Sequence, residues 1–442
     1  MPPDATSSAV VVMVPSEEEA SVEGCRPGGR LWESMLHPDA VETRATAFAF
    51  SSKGLPKYYD YRNWTATTFM IRDRAMGNFV WPWALCVVVA AAWVALVKRV
   101  EELRHPRYDL VEFERMYSLI FTALGFMLVF RLSRAAVRFW DCRAAWGTIA
   151  MRGARRASPR PIAPRHVSGA QAPPDTQGTP PPSRARPARP DASLSPHAPH
   201  PLDPHAGRVM VDDAIVNLGR VAPEEVDELI RWFVGFIVAT KCWLRVEPVP
   251  AAQLAGIIGA NEIEEMHAKA KHVHLYCANR VRSAIARALL VEETAAADPS
   301  SRRVASLHPL HAAEVLRGLR SHLDVLVDMG GAMERIKATR LPVVYVSHLR
   351  TFLLLYVLSM PFVYVGIWGW GTVPAVGAVA FALLGIEGAA TECENPFSAK
   401  RTNHLGMDGF CENTIGEVMQ MLQWWKERED EAEKDKGKGG GK

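Results

Sequence analysis

Three arginines, Arg131, Arg134 and Arg138, follow one another at spacings of three and four, which places them on one face of a helix. A guanidinium stays charged at any physiological pH, and a row of them raises the local concentration of anions. The row reads in two ways: as the basic flank that orients a membrane segment, or as the wall of an anion-attracting vestibule. A second cluster, the string from Glu262 to His274, brings His267, His272, His274 and several carboxylates onto neighbouring helical turns, the raw material of a metal site. It lacks the H-E-x-x-H pattern, and Lys269 and Lys271 repel a cation, so a solvated helix face is expected and no metal is assigned. The chain has no G-x-G-x-x-G, no P-loop, no G-x-S-x-G and no Cys/His arrangement that suggests a nucleophile. Neither an enzyme nor a cofactor is expected.

The elements that carry these residues are apolar in blocks. Over 442 residues the chain is 48% hydrophobic and 22% charged, yet the apolar residues crowd into a few windows between acidic, Pro-rich and Lys-rich stretches. A net charge of +3 is too small to argue for nucleic acid. Seven Cys without a C-x-x-C pair suit neither a disulfide framework nor a zinc site, and read as reduced apolar packers. The first forty residues carry Glu17, Glu18, Glu19 and Glu23 and no uninterrupted apolar core, unlike a secretory signal or a basic transit peptide. Plasma membrane and thylakoid are therefore not distinguished.

Four windows have the length and composition of membrane spans. Phe79 to Val97 is nearly free of charge and is flanked by Arg72 and Arg74 on one side and Lys98 and Arg99 on the other. Tyr117 to Leu132 is shorter, less apolar and contains Gly125, as suits a helix with one face toward water or a pore. Leu341 to Val365 and Val373 to Gly388 form a pair around the turn Gly366 to Gly371, where Trp368 and Trp370 match the headgroup level and Pro396 ends the exit helix. Four spans put both termini on one side, and the long Arg-bearing connection assigns that side to the cytoplasm or its organellar equivalent; the basic residues of Lys98 to Met116 run against this orientation.

The predicted architecture is all-α: a multi-pass membrane protein with four transmembrane helices and a helical cytosolic domain. Residues 1–60 are expected to be acidic and irregular, and 61–151 to hold the first two spans. Residues 152–206 contain fourteen of the 31 Pro, several Arg and no Lys, and read as a disordered insertion. A helical cytosolic domain over 207–340 includes Leu229 to Leu244, apolar but short and interrupted by Arg231 and Lys241, hence buried and not spanning. The last two spans occupy 341–397, and 398–442 form a cytosolic segment with a disordered Lys/Gly tail.

Several of these stretches resemble a known family. Ala123 to Trp146, ALGFMLVFRLSRAAVRFWDCRAAW, is similar to the second-helix signature of bestrophin-type anion channels, LGFLLVFR followed by further basic and aromatic positions. His348-Leu-Arg-Thr-Phe352, Gly369-Trp-Gly-Thr-Val-Pro374, Phe381-Ala-Leu-Leu-Gly-Ile-Glu387 and Asn395-Pro-Phe397 fall in the order of that family's last two spans, closest to its plant, algal and bacterial branch. The resemblance implies a homopentamer in the lipid bilayer with one central pore, its second helix lining a neck above a cytosolic vestibule. It also implies passive conduction of chloride or bicarbonate. Phe126 matches the neck position, and one and two turns back stand Thr122 and Ser118, more polar than the family's usual rings, which predicts a wetter upper neck. Arg131, Arg134 and Arg138 then take the vestibule role. The family's animal members follow N-P-F with acidic residues that hold Ca²⁺; here Lys400 and Arg401 stand there, so direct Ca²⁺ gating is not expected. The rival is a non-conducting membrane scaffold that binds partners through the Pro-rich loop.

Overall fold

A computed structural model describes residues 29–51, 76–102, 114–149, 206–297, 309–399, 401 and 404–439, and among them no β-strand occurs. The helices are α1 (Leu31–Met35), α2 (Pro38–Ser51), α3 (Met76–Glu102), α4 (Glu114–Ile149), α5 (Ala206–Leu218), α6 (Pro223–Arg245), α7 (Ala260–Lys269), α8 (Val273–Ala297), α9 (Pro309–Ala338), α10 (Val343–Trp368), α11 (Thr372–Glu394) and α12 (Met407–Gly439). The acidic run near the N-terminus, the Pro/Arg-rich insertion and the final glycines lie outside the described residues.

By length and composition three helical segments can cross a membrane: Phe79–Val100, Glu114–Ile149 and Val343–Glu394. The third comprises α10 and α11, joined by the single 3-10 turn Gly369–Gly371. Gly369 has φ +49°, a left-handed conformation that a residue without Cβ adopts cheaply. Trp368 and Trp370 at this turn stay about half exposed. Helices α3, α4, α10 and α11 share an apolar core of Cys86, Ala90, Leu124, Leu128, Leu353, Val357 and their neighbours. The Trp83 indole donates to the Gly377 carbonyl at 2.9 Å and ties α3 to α11.

The second core is the helical bundle centred on α6. Pro223 occupies the first turn with Glu224 and Glu225, which complement the helix dipole there. From Val226 to Leu244 this helix is almost wholly buried, as a central helix must be. Trp232, Phe233 and Phe236 vanish into the core, each contributing about 1.5–3 kcal/mol on the usual scale of apolar burial. The two interruptions noted in the sequence are accommodated differently. Arg231 reaches out to Glu262 at 3.1 Å, whereas Lys241 is buried, donates to Gln253 and pairs with Asp408 at 2.9 Å. Burial pulls the Asp408 carboxyl upward, but Lys241 and Arg245 outweigh it and hold its pKa below the usual carboxylate value. The helix ends at Val246, which sits at φ 61°, ψ 45° and is exposed.

Residues 31–51 correct the expectation of an irregular N-terminal segment over 1–60. They form α1 and α2 because Leu31, Trp32, Met35 and Phe48 bury against the bundle. Trp32 meets Trp425 edge-on at 5.2 Å, and the Arg30 guanidinium lies 3.7 Å and 4.4 Å from the two ring centroids while pairing with Asp227 at 2.8 Å. Gly256, at φ +72°, permits the close approach of this N-terminal pair: a Cβ there would stand 2.4 Å from the Ser34 carbonyl oxygen.

Helix α4 belongs to both cores. Its 36 residues span about 54 Å at 1.5 Å per residue, with Tyr117 to Leu128 in the membrane-side cluster and Cys142 to Ile149 in the bundle.

Candidate ion pathway

The two faces of α4 have opposite fates. Tyr117, Leu124, Leu128, Arg131 and Ala135 turn inward. The Tyr117 hydroxyl donates to the Tyr356 carbonyl and lies 2.5 Å from the Ser359 hydroxyl, and its ring stacks on Tyr356 at 4.5 Å. The Tyr345 hydroxyl adds a bond to the Met127 carbonyl at 3.1 Å. These contacts fix the rotation of α4 about its own axis, and so decide which residues it leaves outward.

The outward row contains Ser118, Thr122 and Phe126, one helical turn apart, all exposed in the single chain. The Thr122 hydroxyl donates to the Ser118 carbonyl at 3.1 Å. Phe126 is 65% exposed, and Val129, Phe130, Val137 and Trp140 extend the apolar surface along the same helix. An apolar surface this continuous needs cover from lipid or from another protein chain.

The three arginines do not share one environment. Arg131 is 1% exposed and lies between α4 and α11, with Nε donating to Glu387 at 3.2 Å and Nη2 to Glu394 at 2.8 Å. Arg350 on α10 shares Glu387 at 2.8 Å and donates to the Thr391 hydroxyl at 3.0 Å. Glu394 also accepts the Leu341 amide at 2.9 Å. Two guanidinium groups thus face two carboxylates, and Arg131 is paired within the helix packing instead of lying on the exposed side of α4. Arg138 is half-buried and spends its donors on the Glu394 carbonyl at 3.3 Å and the Ile336 carbonyl at 2.5 Å. Arg134 is exposed. The expected solvent-facing stripe is therefore corrected at Arg131, for a simple reason: three residues advance a helix to roughly 60° short of a full turn, enough to carry one end of the row inside.

Glu387 and Glu394 were missed as partners of Arg131, and Arg350 as a second partner of Glu387, although the sequence held a signal. Arg350 and Glu387 are charges inside apolar windows and stand at nearly equal distances on either side of the Gly369–Gly371 turn, so a hairpin brings them together. Beyond the exit helix, Glu392 accepts from Arg401 and pairs with His404 Nε2 at 3.0 Å, while His404 Nδ1 accepts the Ser398 amide at 2.9 Å. Burial pushes the His404 imidazole below its ordinary pKa, against the pull of Glu392. Pro396 and Phe397 are buried, and the Leu405 amide returns to the Pro396 carbonyl at 2.9 Å, closing the segment into a compact turn.

The family model of the bacterial and fungal bestrophin proteins matches residues 58–157 and 208–420, well over half of the chain and on both sides of the Pro-rich insertion. The chain belongs to the bestrophin family. It is 26% identical over 357 residues to a protein of Nostoc sp. (strain PCC 7120) named a voltage-dependent anion channel-forming protein, covering 80% of this chain and 90% of that one. A Synechocystis protein of the same description is 25% identical over 302 residues, covering 68% of this chain and 75% of the other. Among solved structures, a bacterial bestrophin homologue from Klebsiella pneumoniae superimposes with a TM-score of 0.54 over 77% of this chain and 97% of its own, at 17% identity, a likeness of fold. Family and apolar helices together make this bestrophin an integral membrane protein.

Proposed function

We propose that this bestrophin assembles as a homopentamer around one central pore and conducts anions, chloride and bicarbonate, passively across its membrane. The observation that carries this reading is the division of α4 into a face locked by Tyr117 and Arg131 and an uncovered face bearing Ser118, Thr122 and Phe126. The names of the cyanobacterial relatives support it. In the proposed channel α3, α4, α10 and α11 each span the membrane, and five copies of α4 surround the axis. Phe126 forms the narrowest ring, Thr122 and Ser118 a wetter entrance, and Arg134, with Arg138 behind it, the positive surface beneath. Arg131 serves this pathway by holding α4 against α11. Direct Ca²⁺ gating is not part of the proposal, because Arg401 already supplies a positive partner to Glu392 and His404 a hydrogen bond.

Planar-bilayer recordings of the purified protein test the reading. Reversal potentials under chloride, bicarbonate and cation gradients should follow the anions. Phe126→Ala should enlarge the unitary current and Arg134→Glu should cut the anion preference. Absence of current, or equal cation flow, overturns the channel; if deletion of residues 152–206 alone then abolishes the cellular role, the scaffold reading replaces it.

A further inference from the structure

The histidine string that looked like a solvated helix face is partly buried, and it meets a carboxylate from far along the chain. His272 immediately precedes α8, His274 lies in its first turn, and Glu334 projects from the end of α9. Each offers one donor atom, and the three atoms lie within 4.8 Å of one another. His274 is only 2% exposed, yet its Nδ1 has no hydrogen-bond partner among the described residues, and the Nδ1 of the more exposed His272 meets Glu334 Oε1 only at 3.7 Å. A buried ring nitrogen without a partner is costly and demands an explanation.

We infer that His272, His274 and Glu334 form a binding site for a divalent transition-metal ion of the zinc type, which joins the first turn of α8 to the end of α9. Two imidazoles and one carboxylate are the ligand set of a three-point zinc site with the fourth position left to water, whereas the hard cations Ca²⁺ and Mg²⁺ prefer oxygen. The surroundings suit that use. The Trp243 indole donates to Glu334 at 3.1 Å, and its ring lies 4.6 Å and 5.6 Å from the two imidazoles, so the carboxylate is oriented and the rings are walled in. Lys337, one turn beyond Glu334, is drawn to the Trp243 carbonyl at 2.8 Å. Only the histidine half of this site is legible in the sequence, because Glu334 lies on a different helix and nothing in the string points to it.

The purified full-length protein, stripped with a chelator and titrated with Zn²⁺ against a chromophoric competitor, should bind one ion per chain tightly. Zinc-edge X-ray absorption should report two imidazole nitrogens. His272→Ala and Glu334→Gln should each weaken that tight binding by at least about 100-fold, more than the 10–100-fold cost of an outer partner. The Gln amide still accepts the Trp243 bond, so this variant keeps its fold, which unchanged circular dichroism without metal would verify. His311→Ala, on the far end of α9, should leave the tight site intact. Binding no stronger than that of scattered surface histidines, or equal affinity in wild type and both variants, overturns the inference.

Discussion

Arg131 shows how a charge can be correctly located in sequence and still be misread in role. Its spacing with Arg134 and Arg138 is real, but its guanidinium is consumed by Glu387 and Glu394, in a setting where an unpaired charge is expensive. Glu387→Gln should therefore lower stability by about 3 kcal/mol, the low end for breaking a buried pair because Glu394 still faces Arg131. Arg350→Gln, which removes a half-exposed partner of the same carboxylate, should cost only about 0–1 kcal/mol. Thermal unfolding in detergent separates the two, and equal effects would refute the asymmetry. Val246 offers the opposite sign. A β-branched side chain at φ 61° carries roughly 1–2 kcal/mol of left-handed strain, of which glycine returns part to backbone entropy. Val246→Gly should stabilise the protein by about 0.5–1 kcal/mol in denaturant unfolding. Phe126, Thr122 and Ser118 are proposed on likeness to a family motif, since nothing in their own chemistry singles them out from other exposed positions of α4.

Among the elements, those with a strong apolar period or an unbroken apolar run were legible, and those stabilised by distant partners were not. Helix α6 announced itself through Pro223, its acidic first turn and an apolar run too short to cross a bilayer. Helices α1 and α2 did not, because their stability comes from Asp227 and Trp425, roughly two hundred and four hundred residues away. The start of α8 has a pH consequence. Burial depresses His274 to about 4, with Glu334 opposing and His272 adding to the drop, while an unfolded histidine titrates near about 6.5. Between these values the unfolded chain binds more protons than the folded one. Stability from this group is thus fully present above about 6.5 and is lost as pH falls through the window toward about 4. Chelator-treated protein should show a falling melting temperature from pH 7 to pH 4.5, and His274→Gln should flatten that slope even if it lowers the whole curve. An unchanged slope would place the acid sensitivity elsewhere.

At the scale of the molecule, one long rod joins the two main cores, and among the described residues the uncovered face of that rod has no partner. If five copies surround an axis, Thr122→Cys should give disulfide-linked dimers under mild oxidation in membranes. Val88→Cys, on the exposed side of α3, should not. The reverse pattern on a denaturing gel would put α3 at the centre. The layered architecture was readable because lipid and water impose different compositions, whereas the rotation of each rod depends on contacts such as Tyr117 with Tyr356 that no periodicity encodes. One such contact reaches further. Arg138 grips the Ile336 carbonyl, two residues from Glu334 and a few short of the start of α10. Close-packed helices pass on displacement instead of absorbing it. A tilt of α9, whatever provokes it, would therefore reach α4 as torque, and the helical bundle would act as a steering column for the membrane-side half.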